Sequence, residues 1–209
     1  MQKFFVSFSL FVTSLVAGDY VAKDYNYLVN KMSEIHPELL EVHFKLYRGY
    51  VDQVNRLNLL LEEERKGDIE KSFTYQAIKR RYGWEYDGMV LHELYFDNLG
   101  GDGKLDQGSL LYQKIVHQFG TYDNWMRDFK ATALTRGIGW VVLSWDSKRD
   151  LLFNAWITEH DTGPLYKQTP LLVIDLWEHA YLSQFQLDRG KYLDIVFKYI
   201  DWNVVSKRF

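Results

Sequence analysis

Leu171-Leu172-Val173-Ile174-Asp175-Leu176-Trp177-Glu178-His179-Ala180-Tyr181 passes from an unbroken apolar run to a carboxylate and an imidazole four residues apart. The run reads as a fully buried strand that ends on Asp175. A strand end is rigid, while its tip is open. If a helix starts there, residues i and i+4 share one face, and Asp175 and His179 can reach one point. Apolar packing beside Trp177 gives no reason to bury an acid and an imidazole together. A bound metal does, since it offsets the cost of taking both polar groups out of water.

Upstream, Gly139-Trp140-Val141-Val142-Leu143-Ser144-Trp145 and Leu151-Leu152-Phe153-Asn154-Ala155-Trp156-Ile157 are rich in branched and aromatic residues. The polar turn Asp146–Asp150 between them predicts a hairpin. With the run at 171–174 this makes a three-stranded antiparallel sheet. Short helices are expected at about Gly108–Phe119 and Tyr122–Arg136, and closing helices at about Leu176–Leu187 and Lys191–Trp202. Further upstream, Leu39, Val42, Leu46, Tyr50, Val54, Leu57 and Leu61 fall at helical spacing. Pro37 suits the start of that helix and Gly67 its end. A second helical pattern runs from about Phe73 to Leu99, with Gly83 and Gly88 as places where it could break. The two predict an antiparallel helical hairpin. Gly100-Gly101-Asp102-Gly103 is the linker. As a calcium loop it lacks the alternating acidic ligands and the closing Glu. The expected fold is α+β: a helical hairpin over 19–103, then an α/β domain with the sheet over 104–209.

Composition narrows the chemistry. Aromatic residues are 17% of the 209, enough for a substantial aromatic core. Net charge is −3 and no basic block occurs, so no nucleic-acid partner is expected. There is no Cys. That excludes disulfides, thiolate-held zinc, iron–sulfur clusters and thiol catalysis. A metal must then be held by Asp, Glu and the six His. At the N-terminus, Met1-Gln2-Lys3 is short and positive, and Phe4–Val16 is apolar apart from Ser and Thr. Val16-Ala17-Gly18 precedes Asp19 with small or tolerated residues. This is the layout of a secretory signal over 1–18. The run is short for a bilayer span, and a buried first helix or core strand is its other reading. Nothing else is apolar enough to span, so no membrane attachment is expected once the leader is gone.

Two more imidazoles belong on the long helices: His43 among Phe44, Tyr47 and Tyr50, and His92 among Leu91, Leu94, Tyr95 and Phe96. A single His on an aromatic helix face is usually a satisfied core residue. Two of them beside Asp175 and His179 make three imidazoles and one carboxylate, a set suited to Fe, Mn or Zn.

The stretch Thr169–Tyr181 resembles the C-terminal metal motif of the iron/manganese superoxide dismutases. So do Gly137-Ile138-Gly139-Trp140, the region of His92, and the tail Arg189, Tyr192-Leu193 and Asp201–Arg208. The resemblance runs from about residue 20 to the end. It implies one Fe or Mn ion per chain on His43, His92, Asp175 and His179, with superoxide as substrate and oxygen and hydrogen peroxide as products. It implies that Tyr50 is the gateway tyrosine, and that Trp140 and Trp177 wall a dry, narrow pocket. It also implies a homodimer or higher oligomer, in which Glu178 bridges to the ligand His179 of a second copy. It places residues 1–18 ahead of the family's usual start, which supports export to the periplasm or medium over a cytoplasmic location.

Four features depart from the family pattern. His43 to Tyr50 is one residue short, as loss of a π-bulge would produce. Tyr47 and Leu182 replace the His and Tyr of an inter-subunit relay. Gly88 stands where iron forms carry Gln. In the loop Glu159–Leu165, His160 is the expected substitute for the Gln of manganese forms, donating to metal-bound solvent, with Asp161 as the other register. His36 and His117 have no expected role. Two other readings remain: a retired member of the fold serving binding or assembly, and a hydrolase using the same ligands to activate water.

Overall fold

The computed structural model describes residues 19–162 and 166–209. The leader expected at 1–18 lies outside the described residues, as does Gly163–Leu165 of the His160 loop. After a short helix α1 (Tyr27–Lys31), α2 (Pro37–Glu64) and α3 (Phe73–Asp97) form the expected hairpin. Pro37 at the start of α2 gives up an N–H that would lack an intrahelical partner anyway. Leu39, Leu40, His43, Phe44, Tyr47, Val51, Val54, Leu57 and Leu61 form its buried stripe. Ser72 caps α3 by accepting from Tyr75 N.

Two expectations about these helices are corrected or resolved. α3 runs unbroken through Gly83 and Gly88. Gly88 is needed for space: a Cβ there would lie 2.8 Å from carbons of the Tyr50 ring. The glycine lets the two helices meet around that ring. α2 is uniformly α-helical between His43 and Tyr50. Seven residues are close to two turns, so without a bulge both side chains face the same way.

The linker is held in place, because Gly101 N donates to Tyr199 O and Gly103 N to Ile200 O. Helices α4 (Leu110–Phe119) and α5 (Tyr122–Ala133) follow. The sheet then comprises β1 (Gly139–Asp146), β2 (Leu151–Thr158) and β3 (Thr169–Asp175) in the order β2-β1-β3, antiparallel throughout. Central β1 is almost wholly buried, and its register pairs Trp140 with Asp175. The sheet therefore brings an indole of the wall beside a ligand. α3 packs on β3. One core cluster runs through residues of both halves.

The closing segment differs from expectation. In place of a helix over 176–187 there is a 3₁₀ turn at Glu178–Ala180 and a short helix α6 (Leu182–Phe185). Asp175 Oδ1 accepts from Trp177 N at 2.7 Å, but Trp177 itself stays extended and Tyr181 leaves the helical region, so only the single turn between them forms. The last stretch is two helices, α7 (Arg189–Phe197) and α8 (Trp202–Arg208). The first stops at Phe197, and Asp201 caps the second, accepting from Asn203 N and Val204 N.

Candidate metal centre

Four side chains from four elements meet between the hairpin and the sheet. α2 brings His43, α3 brings His92, the end of β3 brings Asp175, and the 3₁₀ turn brings His179. One donor atom from each lies within 4.8 Å of all the others. Asp175 Oδ2 is 3.1 Å from His43 Nε2, 3.1 Å from His179 Nε2 and 3.6 Å from His92 Nε2. Metal–nitrogen bonds of about 2.1 Å separate neighbouring donors by about 3.0 Å at right angles and about 3.6 Å at 120°. These separations therefore fit donors arranged around one ion.

The tautomer of His92 supports the same reading. Its Nδ1–H donates to Gly88 O at 2.6 Å, which leaves the lone pair on Nε2. That Nε2 is buried and has no hydrogen-bond partner. Native proteins rarely leave such an atom unmatched, and a cation at the centre would match it. His43, His92 and Asp175 are essentially inaccessible, while the His179 side chain is 21% exposed. Burial lowers the proton affinity of His43 and, further, of His92, so both offer lone pairs. Burial opposes ionisation of Asp175, but the imidazoles of His179 and His43 outweigh it and hold the carboxyl below its usual range. As ligands the set would offer one negative charge on a hard oxygen and three imidazole lone pairs. That suits a transition metal able to hold two oxidation states.

Aromatic groups close the surroundings. The Tyr50 ring packs on His92 with centroids 5.1 Å apart, and Trp140 meets His92 edge-on at 5.0 Å. Trp177 stacks on His160 at 4.8 Å. His160 is buried and Asp161 exposed, which fixes the register of that loop. Trp140 Nε1 donates to His160 Nδ1 at 3.2 Å. An indole nitrogen only donates, so the proton of the neutral His160 ring sits on Nε2. That N–H donates to the Tyr50 hydroxyl at 2.8 Å, not to metal-bound solvent as expected, because both ring nitrogens are already engaged; the phenol's own O–H is left free to point elsewhere. Burial pushes the His160 pKa down to about 4 and the Tyr50 pKa up to about 12, so both are neutral across the physiological range.

Other candidates fall outside the cluster. The Tyr47 hydroxyl accepts from Lys23 N and donates to Glu93 Oε1, and Leu182 is exposed. His36 and His117 are exposed. Sequence reasoning missed Trp84, which meets His160 edge-on at 4.9 Å and Trp177 at 6.0 Å. It lies eight residues before His92 on α3, a place where an indole reads equally well as core. Also missed was Tyr192, whose hydroxyl donates to Asp175 O from beneath the ligand.

Comparison with known proteins agrees with the geometry. Residues 107–208 match the family described as iron/manganese superoxide dismutases, C-terminal domain. A manganese superoxide dismutase of Halobacterium salinarum is 31% identical, over 89% of this chain and 90% of the relative. An iron superoxide dismutase of Aquifex aeolicus is 34% identical over 84% of each chain. One named for manganese or iron, from Aeropyrum pernix, is 30% identical over 87% of this chain and 83% of its own. These matches extend over most of the sequence, and with the three imidazoles and one carboxylate gathered at one point they place the chain in the iron/manganese superoxide dismutase family.

Proposed function

We propose that the chain dismutates superoxide at His43, His92, Asp175 and His179, with Tyr50, His160 and Trp140 managing protons and solvent beside them. The observation that carries this is the convergence of four donors around the unpartnered Nε2 of His92. A bound Fe or Mn ion would supply one-electron chemistry, taking an electron from one superoxide to release oxygen and returning it to a second, which with two protons leaves as hydrogen peroxide. The chain's own groups do the rest. Asp175 supplies the single anionic ligand that tempers a trivalent ion, and neutral imidazoles keep the divalent state within reach. Zinc would fit these donors but cannot cycle electrons. Trp140 orients His160, His160 donates to Tyr50, and Tyr50 holds a phenolic proton toward the centre for transfer to reduced substrate. Trp140 and Trp177 keep the pocket narrow and dry. A retired binding protein would be expected to lack a ligand, and all four are present.

The relatives carry iron, manganese or either in their names, so the choice of metal is put to experiment. Metal content and superoxide turnover are measured on protein loaded separately with Fe and with Mn. Turnover with at least one of them supports the reading, and metal-loaded protein inactive with both overturns it. His160→Gln should shift the preference between the two metals.

Two further readings belong here. Exposed Glu178 next to ligand His179 supports a two-fold dimer in which each Glu178 accepts from the other copy's His179. Sedimentation of Glu178→Ala should show weakened association. The leader pattern supports export, and N-terminal sequencing of the protein recovered from its native compartment should begin near Asp19. The family match over 107–208 supports the division into units at 19–103 and 104–209.

A further inference from the structure

Exposure locates the opening of the site. His43, His92 and Asp175 are sealed, whereas Tyr50, Trp84 and Trp177 are each partly exposed; the exposure of His179 falls on the side proposed to meet a second copy. The wall of the site is therefore thinnest on the side of Tyr50, Trp84 and Trp177. Trp84 leads outward from His160 to a charge. The Arg81 guanidinium lies over the Trp84 ring, 5.3 Å from its centroid, and its side chain is 57% exposed. Among the described residues its ion-pair partner is Glu85, one turn on, at 2.6 Å and with a side chain only 7% exposed. Arg81 Nε donates to the same carboxylate. The positive end of this pair therefore faces solvent at the opening, and the negative end faces inward. Its field reaches the wall: at Tyr50, where burial, Asp175 and Glu85 raise the proton affinity, Arg81 opposes them, and Arg81 is also felt at His160.

We propose that Arg81 is the docking cation for small monovalent anions entering the metal site, with Trp84 as its platform and Glu85 as the group that fixes it and offsets part of its charge. The proposal rests on the superoxide reading for its natural ligand, but the chemistry is that of any compact anion. An exposed cation at the mouth of a narrow pocket raises the local concentration of anionic substrate and the rate of encounter. Stacking on the Trp84 ring holds the guanidinium in place without neutralising it. Because the guanidinium is exposed, salt screens it, with a decay length of about 10 Å at 0.1 M.

The test measures superoxide kcat/KM against ionic strength, and azide affinity by optical titration, on metal-loaded full-length chain. Arg81→Gln should lower kcat/KM roughly three- to tenfold at low salt, the deficit closing as salt rises. Glu85→Gln keeps an amide to accept from Arg81 but unmasks its charge. It should raise kcat/KM above wild type at low salt and steepen the salt dependence. Azide should bind more weakly to Arg81→Gln and more tightly to Glu85→Gln. A loss in Arg81→Gln that is equal at all salt concentrations would reduce Arg81 to packing on Trp84. A Glu85→Gln variant without the gain, or azide affinities equal to wild type, would also overturn the proposal. The azide arm separates this reading from the activity. Arg81-dependent azide binding in a chain that turns over no superoxide would sink the dismutase reading and keep the docking cation.

Discussion

At the residue scale, the centre depends on fixed tautomers. His92 is set by Gly88 O, and His160 by the Trp140 indole. Trp140→Phe removes the donor and leaves His160 Nδ1 unmatched, so the ring can hold its proton on either nitrogen. Activity should fall about 10- to 100-fold with the metal still bound, as turnover per metal ion would record. Gly88→Ala drives a methyl into the Tyr50 ring, which either moves or strains both helices. The cost should be about 1–3 kcal/mol, read as a lowered denaturation midpoint. The metal-free chain should also weaken in acid. His43, His92 and His160 have folded proton affinities depressed below the ordinary 6.5, chiefly by burial. The unfolded chain then binds more protons, so stability falls as pH drops from about 6.5 toward about 4. Urea midpoints of apoprotein that are flat across that window would contradict it. The ligands were legible because Asp175 and His179 stand four apart at a strand end in a family-like motif, which gives weight to two helix His that alone would read as core. Trp84 was not, since an indole on a helix reads equally well as core.

At the scale of elements, the centre requires that α3 and β3 keep their relative position, because one carries His92 and the other Asp175. Asn98, just past the end of α3, makes that joint. Its amide donates to Val173 O and accepts from Val173 N, two residues before Asp175. Arg208 near the chain's end donates to Asn98 Oδ1, Leu171 O and Leu94 O, tying α8 to the same place. Asn98→Ala would strand buried backbone groups on Val173 and part of the Arg208 fork. It should cost about 1–3 kcal/mol, and it should also speed metal loss to a chelator. Equal stability and equal metal retention would show that the joint lies elsewhere. The long helices and the three strands could be read from periodicity, because long buried faces repeat the signal many times. The segment after Asp175 could not. There the extended backbone of Trp177 and the non-helical Tyr181 bracket one 3₁₀ turn, and a helix that short leaves no periodic pattern to read. The start of α8 was also hidden, because its cap Asp201 sits inside an apolar pattern.

At the scale of the whole molecule, neither half contains a site. The hairpin carries two imidazoles and the sheet half carries the carboxylate and the third, so the centre exists only where the halves meet over one core. The sequence could suggest this by pairing distant His with a strand-end Asp. It could not supply the distances, which depend on helix orientation, on the Gly88 contact and on the register that sets Trp140 beside Asp175. The most direct test is diffraction from metal-loaded crystals with anomalous differences collected at the iron and manganese edges. The account predicts one peak per chain, about 2.1 Å from Asp175 Oδ2 and from Nε2 of His43, His92 and His179. A peak at any other position, or metal-loaded crystals with none between these four atoms, would contradict it.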